Sequence, residues 1–280
     1  VTRIQRPIAV LAGAAAACIT VACLDISSPV TGIASATLLL SPSPSVVEGD
    51  LLRDTAGAVA PVRAFAFAAN GDTVTDAVVR YYAIDSTGKL HVDSVTGIVT
   101  GGDSVSPNAA VFARIWPAKG KGFLDTPLDT IPVVPAPVKV TRDTNFVFQF
   151  NVLATDTNAT DLTSAPFGGT VLANGDTAVQ RYAVGFQLVR RPAPGGSDTA
   201  TVVLISALST NDSSYAITDA SGHASLRLKL RKAALRDSVR SGLIPDTAMV
   251  VLRVRGQSGQ LVPVAPPDTI VITIRGVLPP

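Results

Sequence analysis

Leu226-Arg227-Leu228-Lys229-Leu230-Arg231 alternates leucine with a basic residue over six positions, and this period of two decides the fold class. Successive side chains of a strand point to opposite faces, so the leucines line one face and the cations the other. The pattern recurs. Phe146, Phe148, Phe150 and Val152 share one face of a second stretch, and Ile270, Ile272 and Ile274 one face of a third, with Val271, Thr273 and Arg275 between them. Turn-forming clusters separate such runs: Asn70-Gly71-Asp72, Asn174-Gly175-Asp176, Asp219-Ala220-Ser221-Gly222 and Gly256-Gln257-Ser258-Gly259. Many short strands joined in this way predict an all-β chain of the sandwich kind. Acid usage agrees, because Glu48 is the only glutamate among 21 acidic residues, and aspartate suits turns and strand ends where glutamate suits helices. The one helical candidate is Lys232 to Ser241, read either as two or three turns or as a loop.

The chain also repeats itself. A shift of 139 residues (111 onto 250) lays Val111-Phe112-Ala113-Arg114-Ile115 over Val250-Val251-Leu252-Arg253-Val254 and, in the same register, Asp129-Thr130-Ile131 over Asp268-Thr269-Ile270. Each pair reads as the penultimate and final strands of a domain. One domain is therefore expected at 34–140 and a second, longer one at 141–280, with Arg190 to Asp198 and Lys232 to Asp246 as insertions. Pro132, Pro135 and Pro137 predict a last strand of the first domain confined to an edge and running into a stiff connection.

The first thirty residues differ in kind. Arg3 and Arg6 precede Pro7 to Ala22, a run almost without polar side chains, which is the order of a secretory signal. The run is shorter than the roughly 20 residues that cross a bilayer comfortably. Cys18 and Cys23 are the only cysteines, so the body beyond them has no disulfide. Thr20-Val21-Ala22-Cys23 resembles the lipobox of bacterial lipoproteins, in which small residues precede a cysteine that is diacylated and becomes the new N-terminus. The resemblance implies a cleaved signal peptide at 1–22, lipidation at Cys23, a tether at 23–33 and a membrane partner through the lipid. Cys18, after Ala15-Ala16-Ala17, is the alternative site. Leu24 stands where some lipoproteins carry an acidic inner-membrane retention signal, which leans toward the outer membrane.

Further along, the residues resemble the bacterial immunoglobulin-like domains found in tandem on surface proteins. Ala36-Thr37-Leu38-Leu39-Leu40-Ser41-Pro42, Val46-Val47-Glu48-Gly49-Asp50, Asn70-Gly71-Asp72 and Asp93-Ser94-Val95-Thr96-Gly97-Ile98-Val99 are similar to the opening strand and turns of the family's group 2 members. Thr218-Asp219-Ala220-Ser221-Gly222-His223-Ala224-Ser225-Leu226 makes the second domain similar to the invasin or intimin type. The resemblance implies two tandem immunoglobulin-like β-sandwiches after a cleaved signal peptide, acting in adhesion, as a spacer or in binding. Where the family commonly carries tryptophan in a core strand, this chain has Val78-Val79-Arg80-Tyr81-Tyr82, so Tyr81 or Tyr82 has to fill the core.

The residues offer little for catalysis. A Ser/His/Asp set needs a base held against the nucleophile, and His91 and His223 both follow glycine turns, away from any Gly-x-Ser-x-Gly elbow. Ser86-Thr87-Gly88-Lys89 has the Ser-x-x-Lys spacing of a penicillin-recognising nucleophile but sits in a predicted turn. Calcium loops gather several acids within a dozen residues, whereas Asp50 with Asp54 and Asp72 with Asp76 are only pairs. Asp-Thr recurs at Asp54, Asp72, Asp125, Asp129, Asp143, Asp156, Asp176, Asp198, Asp246 and Asp268, where Asp accepts backbone hydrogen bonds as a strand begins. No zinc set is present in the body, and no catalytic residue, metal site or cofactor is expected.

Two features read as ligand contacts. Arg227, Lys229, Arg231, Lys232, Arg236 and Arg240, offset by Asp237, form a basic cluster whose first three members line an exposed strand face. It reads as a solvated face, as protection of a sheet edge, or as a patch for an anionic polymer such as surface polysaccharide or nucleic acid, and the partner expected of the chain as a whole is a surface polysaccharide or protein ligand. No aromatic residue lies among these charges and the net charge is +2, so no specific nucleic acid is expected. Trp116, the lone tryptophan, aligns with Arg255 in the repeat, which predicts that it faces outward, where it can stack on a sugar. The expected function is a lipid-anchored, non-catalytic surface module for adhesion, spacing or binding. A carbohydrate-binding accessory module and a secreted hydrolase without a recognisable site are the alternatives.

Overall fold

The computed structural model describes residues 33–39, 43–118, 122–151, 161–195, 200–209, 211–264 and 269–277. The signal segment 1–22, Cys18, Cys23, nearly all of the tether 23–33, and Val152, Asp156, Asp198 and Asp268 lie outside the described residues. No helix of the described residues is long and apolar enough to cross a membrane.

The first half contains β1 (Ser35–Leu39), β2 (Val46–Val47), β3 (Arg63–Phe67), β4 (Val78–Ile84), β5 (Leu90–Val92), β6 (Val99–Gly101), β7 (Ala110–Trp116), β8 (Leu124–Asp125), β9 (Asp129–Thr130) and β10 (Val133–Val134). β4 pairs with β7, whose other side takes β8 and β9. β1 pairs with β3, β5 with β6, and β2 runs parallel to β10. The second half contains β11 (Lys139–Arg142), β12 (Phe146–Asn151), β13 (Leu162–Thr163), β14 (Phe167–Leu172), β15 (Ala183–Arg190), β16 (Val202–Ser206), β17 (Tyr215–Ile217), β18 (His223–Leu230), β19 (Asp246–Arg253) and β20 (Thr269–Val277). One sheet runs β11-β14-β18, with β13 and β16 also on β18, and the other runs β12-β20-β19-β15-β17. Neighbours are antiparallel except β12 and β20, which are parallel. This strand order is that of an immunoglobulin-like sandwich, with the opening strand divided between two sheets and its second piece parallel to the last strand.

Alternation in the sequence becomes burial in the sandwich. Leu226, Leu228 and Leu230 of β18, Ile270, Ile272 and Ile274 of β20, and Phe148 and Phe150 of β12 are all buried in one large core. A smaller core in the first half gathers Val46, Leu52, Val62, Tyr81, Leu90, Val99, Val111, Ile131 and Val133. Tyr81 fills the place that the resemblance leaves for a core aromatic, and Tyr82 points the other way. The internal repeat is structural as well: Val111, Ala113 and Ile115 face the first core as Val250, Leu252 and Val254 face the second. Pairing with the next strand differs by two residues, Val111 lying opposite Asp129 but Val250 opposite Ile270. A slip of two keeps every side chain on its own face.

Three expectations need correction. Val133 of β10 is not at an edge, since it is bridged to Ser106 on one side and paired with Val46 on the other. The prolines are tolerated there because Val46 N–H donates to Pro132 O and Glu48 N–H to Val134 O, bonds that ask no N–H of a proline. Lys232–Ala234 forms one 3-10 turn and α1 (Asp237–Arg240) one α turn, separated at Leu235 by an extended residue. Burial of Leu235 and Val239 in the large core, with Ala234 also buried, takes precedence over a continuous helix. β18 is an interior strand, with β13 and β14 on one side and β16 on the other, so its cations protect no edge.

The β2–β10 ladder also joins the two halves. Val46 and Val133 belong to the smaller core, while Val47 and Val134, one residue on, belong to the larger. Beside them the Asp50 carboxylate accepts the Ser258 N–H at 2.7 Å, and Ser258 adopts a φ of 59°, a left-handed conformation that aims this N–H. Gly57 and Gly259, both at positive φ, approach so closely that a Cβ on Gly259 would lie 2.8 Å from the Gly57 carbonyl oxygen.

Candidate functional site

The outward face of β4 and β7 collects side chains that a soluble sandwich would ordinarily bury or omit. Their register places Val78 opposite Trp116, Arg80 opposite Arg114 and Tyr82 opposite Phe112, while Val79, Tyr81 and Ala83 alternate inward. Tyr82 and Phe112 stack with centroids 5.2 Å apart and planes 21° from parallel. Phe123, just before β8, lies beneath the Arg114 guanidinium at 3.9 Å and tilts against Trp116 at 6.2 Å. Val78, Ile84, Tyr82 (38% exposed) and Phe123 (54%) are open to solvent. Of nine phenylalanines, four tyrosines and one tryptophan in the chain, four aromatic rings thus stand on this single face, a concentration that marks contact surfaces.

Charge is organised around the same residues. Arg114 holds Asp125 of β8 through two hydrogen bonds, Nε to Oδ1 at 2.7 Å and Nη2 to Oδ2 at 2.9 Å. That bonding keeps the Asp125 carboxyl below the ordinary carboxylate range and raises Arg114 in turn. Arg80, directly across the ladder from Arg114, donates from Nη1 to the Val79 carbonyl at 3.0 Å.

Trp116 is the sequence-predicted contact residue that belongs to this face, half-buried at the end of β7. Tyr82, Phe112, Phe123, Arg80, Arg114 and Asp125 were not legible as contacts, because three chain segments and their register bring them together. Arg227 and Lys229 do share one face of β18, half-buried, with Lys229 paired to Asp161 at 3.0 Å, whereas Arg231 lies just past the end of the strand and leads into the 3-10 turn. The rest of the basic cluster disperses. Lys232 is buried with its ammonium 6.0 Å from the Phe150 ring centroid, Arg236 pairs with the buried Asp246, and Arg240 pairs with Asp237. Cys23 lies outside the described residues.

Several of the groups weighed for catalysis and metal binding have structural partners. His223 Nε2 lies 3.2 Å from Asp143 Oδ1, and Asp143 also accepts the Gly168 N–H, which ties the start of β18 to the bend between β11 and β12. Ser86 to Lys89 is a turn built on Asp85, whose carboxylate accepts the Thr87 and Leu90 N–H groups and the Ser106 hydroxyl. Burial raises the Asp85 carboxyl, but these donors outweigh it and hold it at about 2. The Lys89 ammonium is engaged by Asp103 at 2.7 Å. Asp54 accepts the Ala56 and Ala58 N–H groups at 2.9 Å. Among the described residues no three His, Cys, Asp or Glu side chains gather as a metal site. An open cavity of about 470 Å³ lies by β15 and β16, lined by Phe186, Leu188, Val203 and Leu204 with Arg191 and Asp212 among them.

No family model matches the chain, and no curated protein matches it. Solved structures do resemble it. The S-layer protein SbsC, domains 4 and 5, is 9% identical, over 88% of this chain and 98% of that one, with a TM-score of 0.26. The Yersinia pseudotuberculosis adhesin InvE is 18% identical over 85% of this chain, which spans 58% of InvE, with a TM-score of 0.30. Drosophila N-cadherin EC1-3 is 14% identical, over 88% and 68%, with a TM-score of 0.25. Likeness at this level carries no argument about function. The immunoglobulin-like assignment stands on the strand order of the chain itself.

Proposed function

We propose that this chain is a non-catalytic bacterial cell-surface module that meets its partner through the outward face of β4 and β7. The carrying observation is the outward-facing group of Tyr82, Phe112, Phe123 and Trp116 around a paired Arg114. In this reading the signal at 1–22 is cleaved, Cys23 carries the lipid, residues 23–33 are the tether, and sandwiches at 34–140 and 141–280 project the face outward from the outer membrane. Two acyl chains hold a protein at a bilayer where one holds it only marginally. Loops and exposed faces on a rigid sandwich are where binding concentrates. A carbohydrate-binding accessory role is the second reading, and Trp116 on the same face favours it.

The test compares cells displaying equal amounts of the wild-type chain and of Tyr82→Ser/Phe123→Ser for attachment to protein-coated and glycan-coated surfaces. Attachment is expected to fall about tenfold or more in the double variant, and lipid label is expected in wild type but not in Cys23→Ser. Equal attachment would remove the face from the proposal. Label that persists in Cys23→Ser and disappears in Cys18→Ser would move the anchor.

A further inference from the structure

Resting on the reading of this face as a contact surface, we propose that its partner is a protein segment that places a carboxylate against Arg80 and apolar side chains on the flanking rungs. The first argument is charge. Like charges directly opposite across a ladder destabilise it, yet Arg80 and Arg114 are opposite partners in the β4–β7 register. Asp125 neutralises Arg114 alone. Among the described residues no acid pairs with Arg80, whose guanidinium is held in place by the Val79 carbonyl. With Arg114 turned to Asp125 of β8, Arg80 is left as a positive centre on a sheet face whose next outward rungs are apolar, and an incoming carboxylate completes it.

The second argument is shape. Outward rungs of a strand recur about every 6.8 Å, so the charged rung lies between Tyr82 with Phe112 on one side and Val78 with Trp116 on the other. A sugar ring stacks on an open aromatic face. Here Tyr82 and Phe112 cover one another, and Arg114 covers one face of Phe123. One face of each of these three rings is thus taken, and the aliphatic Val78 and Ile84 stand exposed beside them, a mixture that apolar side chains of a protein fit better. A mixture of aromatic residues and arginine is also the composition of protein hot spots. A second copy of this chain is disfavoured, because a two-fold contact sets identical patches together and would add no carboxylate to meet Arg80.

Trp116 is the only tryptophan, so its emission reports on this face in the intact chain. The probe is a random glutamate–phenylalanine copolymer, with polygalacturonate as the glycan comparator. The copolymer is expected to shift Trp116 emission saturably, with affinity lowered about tenfold or more in both Arg80→Glu and Arg80→Gln and less than twofold in Lys139→Glu. Circular dichroism of each variant guards against misfolding, and the glutamine variant keeps the result readable if the glutamate variant does not fold. A shift with polygalacturonate and none with the copolymer would overturn the inference in favour of a glycan. Copolymer binding undiminished in Arg80→Gln would overturn the charge argument. Loss of cell attachment in Tyr82→Ser/Phe123→Ser without any copolymer response would sink the acidic-protein inference and leave the contact face standing. Attachment unchanged in that double variant would remove the contact face itself.

Discussion

Asp50→Ala is expected to destabilise the chain by about 3 kcal/mol, an effect read as a lower urea midpoint followed by Trp116 fluorescence. The carboxylate is 7% exposed and serves both halves of the molecule. Oδ1 accepts the Leu51 N–H at 2.7 Å, the Arg53 fork binds both oxygens, and Oδ2 accepts Ser258 N–H from 208 residues away. Alanine strands the Arg53 guanidinium and leaves Ser258 in a left-handed conformation without the bond that rewards it. Burial raises the Asp50 carboxyl, but Arg53 and the Leu51 and Ser258 N–H groups together bring it below its ordinary value. A depressed folded pKa contributes stability above the unfolded value of about 4, and that contribution is lost as pH falls through the folded value. Stability from Asp50 is therefore complete at pH 6 and fades below about pH 4. Asp50→Asn is expected to flatten this acid limb, and an unchanged limb would assign it to other carboxylates.

The neighbouring tyrosines at 81 and 82 should separate folding from binding. Tyr81, 8% exposed, fills the smaller core and accepts the Ala64 N–H on its hydroxyl at 3.2 Å. Tyr81→Ala is expected to cost about 3–5 kcal/mol, enough to unfold the first sandwich and abolish the native Trp116 signal. Tyr82→Ala loses one stacked ring worth about 1 kcal/mol and should leave the unfolding midpoint close to wild type while weakening attachment. Urea unfolding of the two variants side by side checks this. A larger loss from Tyr82 than from Tyr81 would mean that the inward and outward faces of β4 are reversed.

What the sequence made legible follows from physics. β12, β18 and β20 announce themselves because each has one face in a wide core, so burial imposes strict alternation on residues such as Leu226 to Leu230. Tyr81 and Tyr82 are both apolar enough for the core, and only the β4 register assigns their faces. Trp116 stood out by being unique. Its neighbours Tyr82, Phe112 and Phe123 did not, because cross-strand pairing is absent from local spacing. The basic cluster was visible as charge, but the acids that engage it, Asp161 and Asp246, lie outside it in sequence. Val46-Val47 and Val133-Val134 are ordinary apolar doublets in sequence. Their role becomes clear when adjacent residues turn out to face different cores.

Presentation of the face depends on the two sandwiches forming one body through Val47, Val134 and the Asp50–Ser258 bond. The most direct test is the distance distribution between nitroxide labels at exposed Val95 and Ala220, placed in a Cys18→Ser/Cys23→Ser chain and measured by pulsed dipolar spectroscopy. A single narrow distribution that broadens on Asp50→Ala is the expected result. A broad distribution in the chain with Asp50 intact would contradict the account, because the two halves would then move independently.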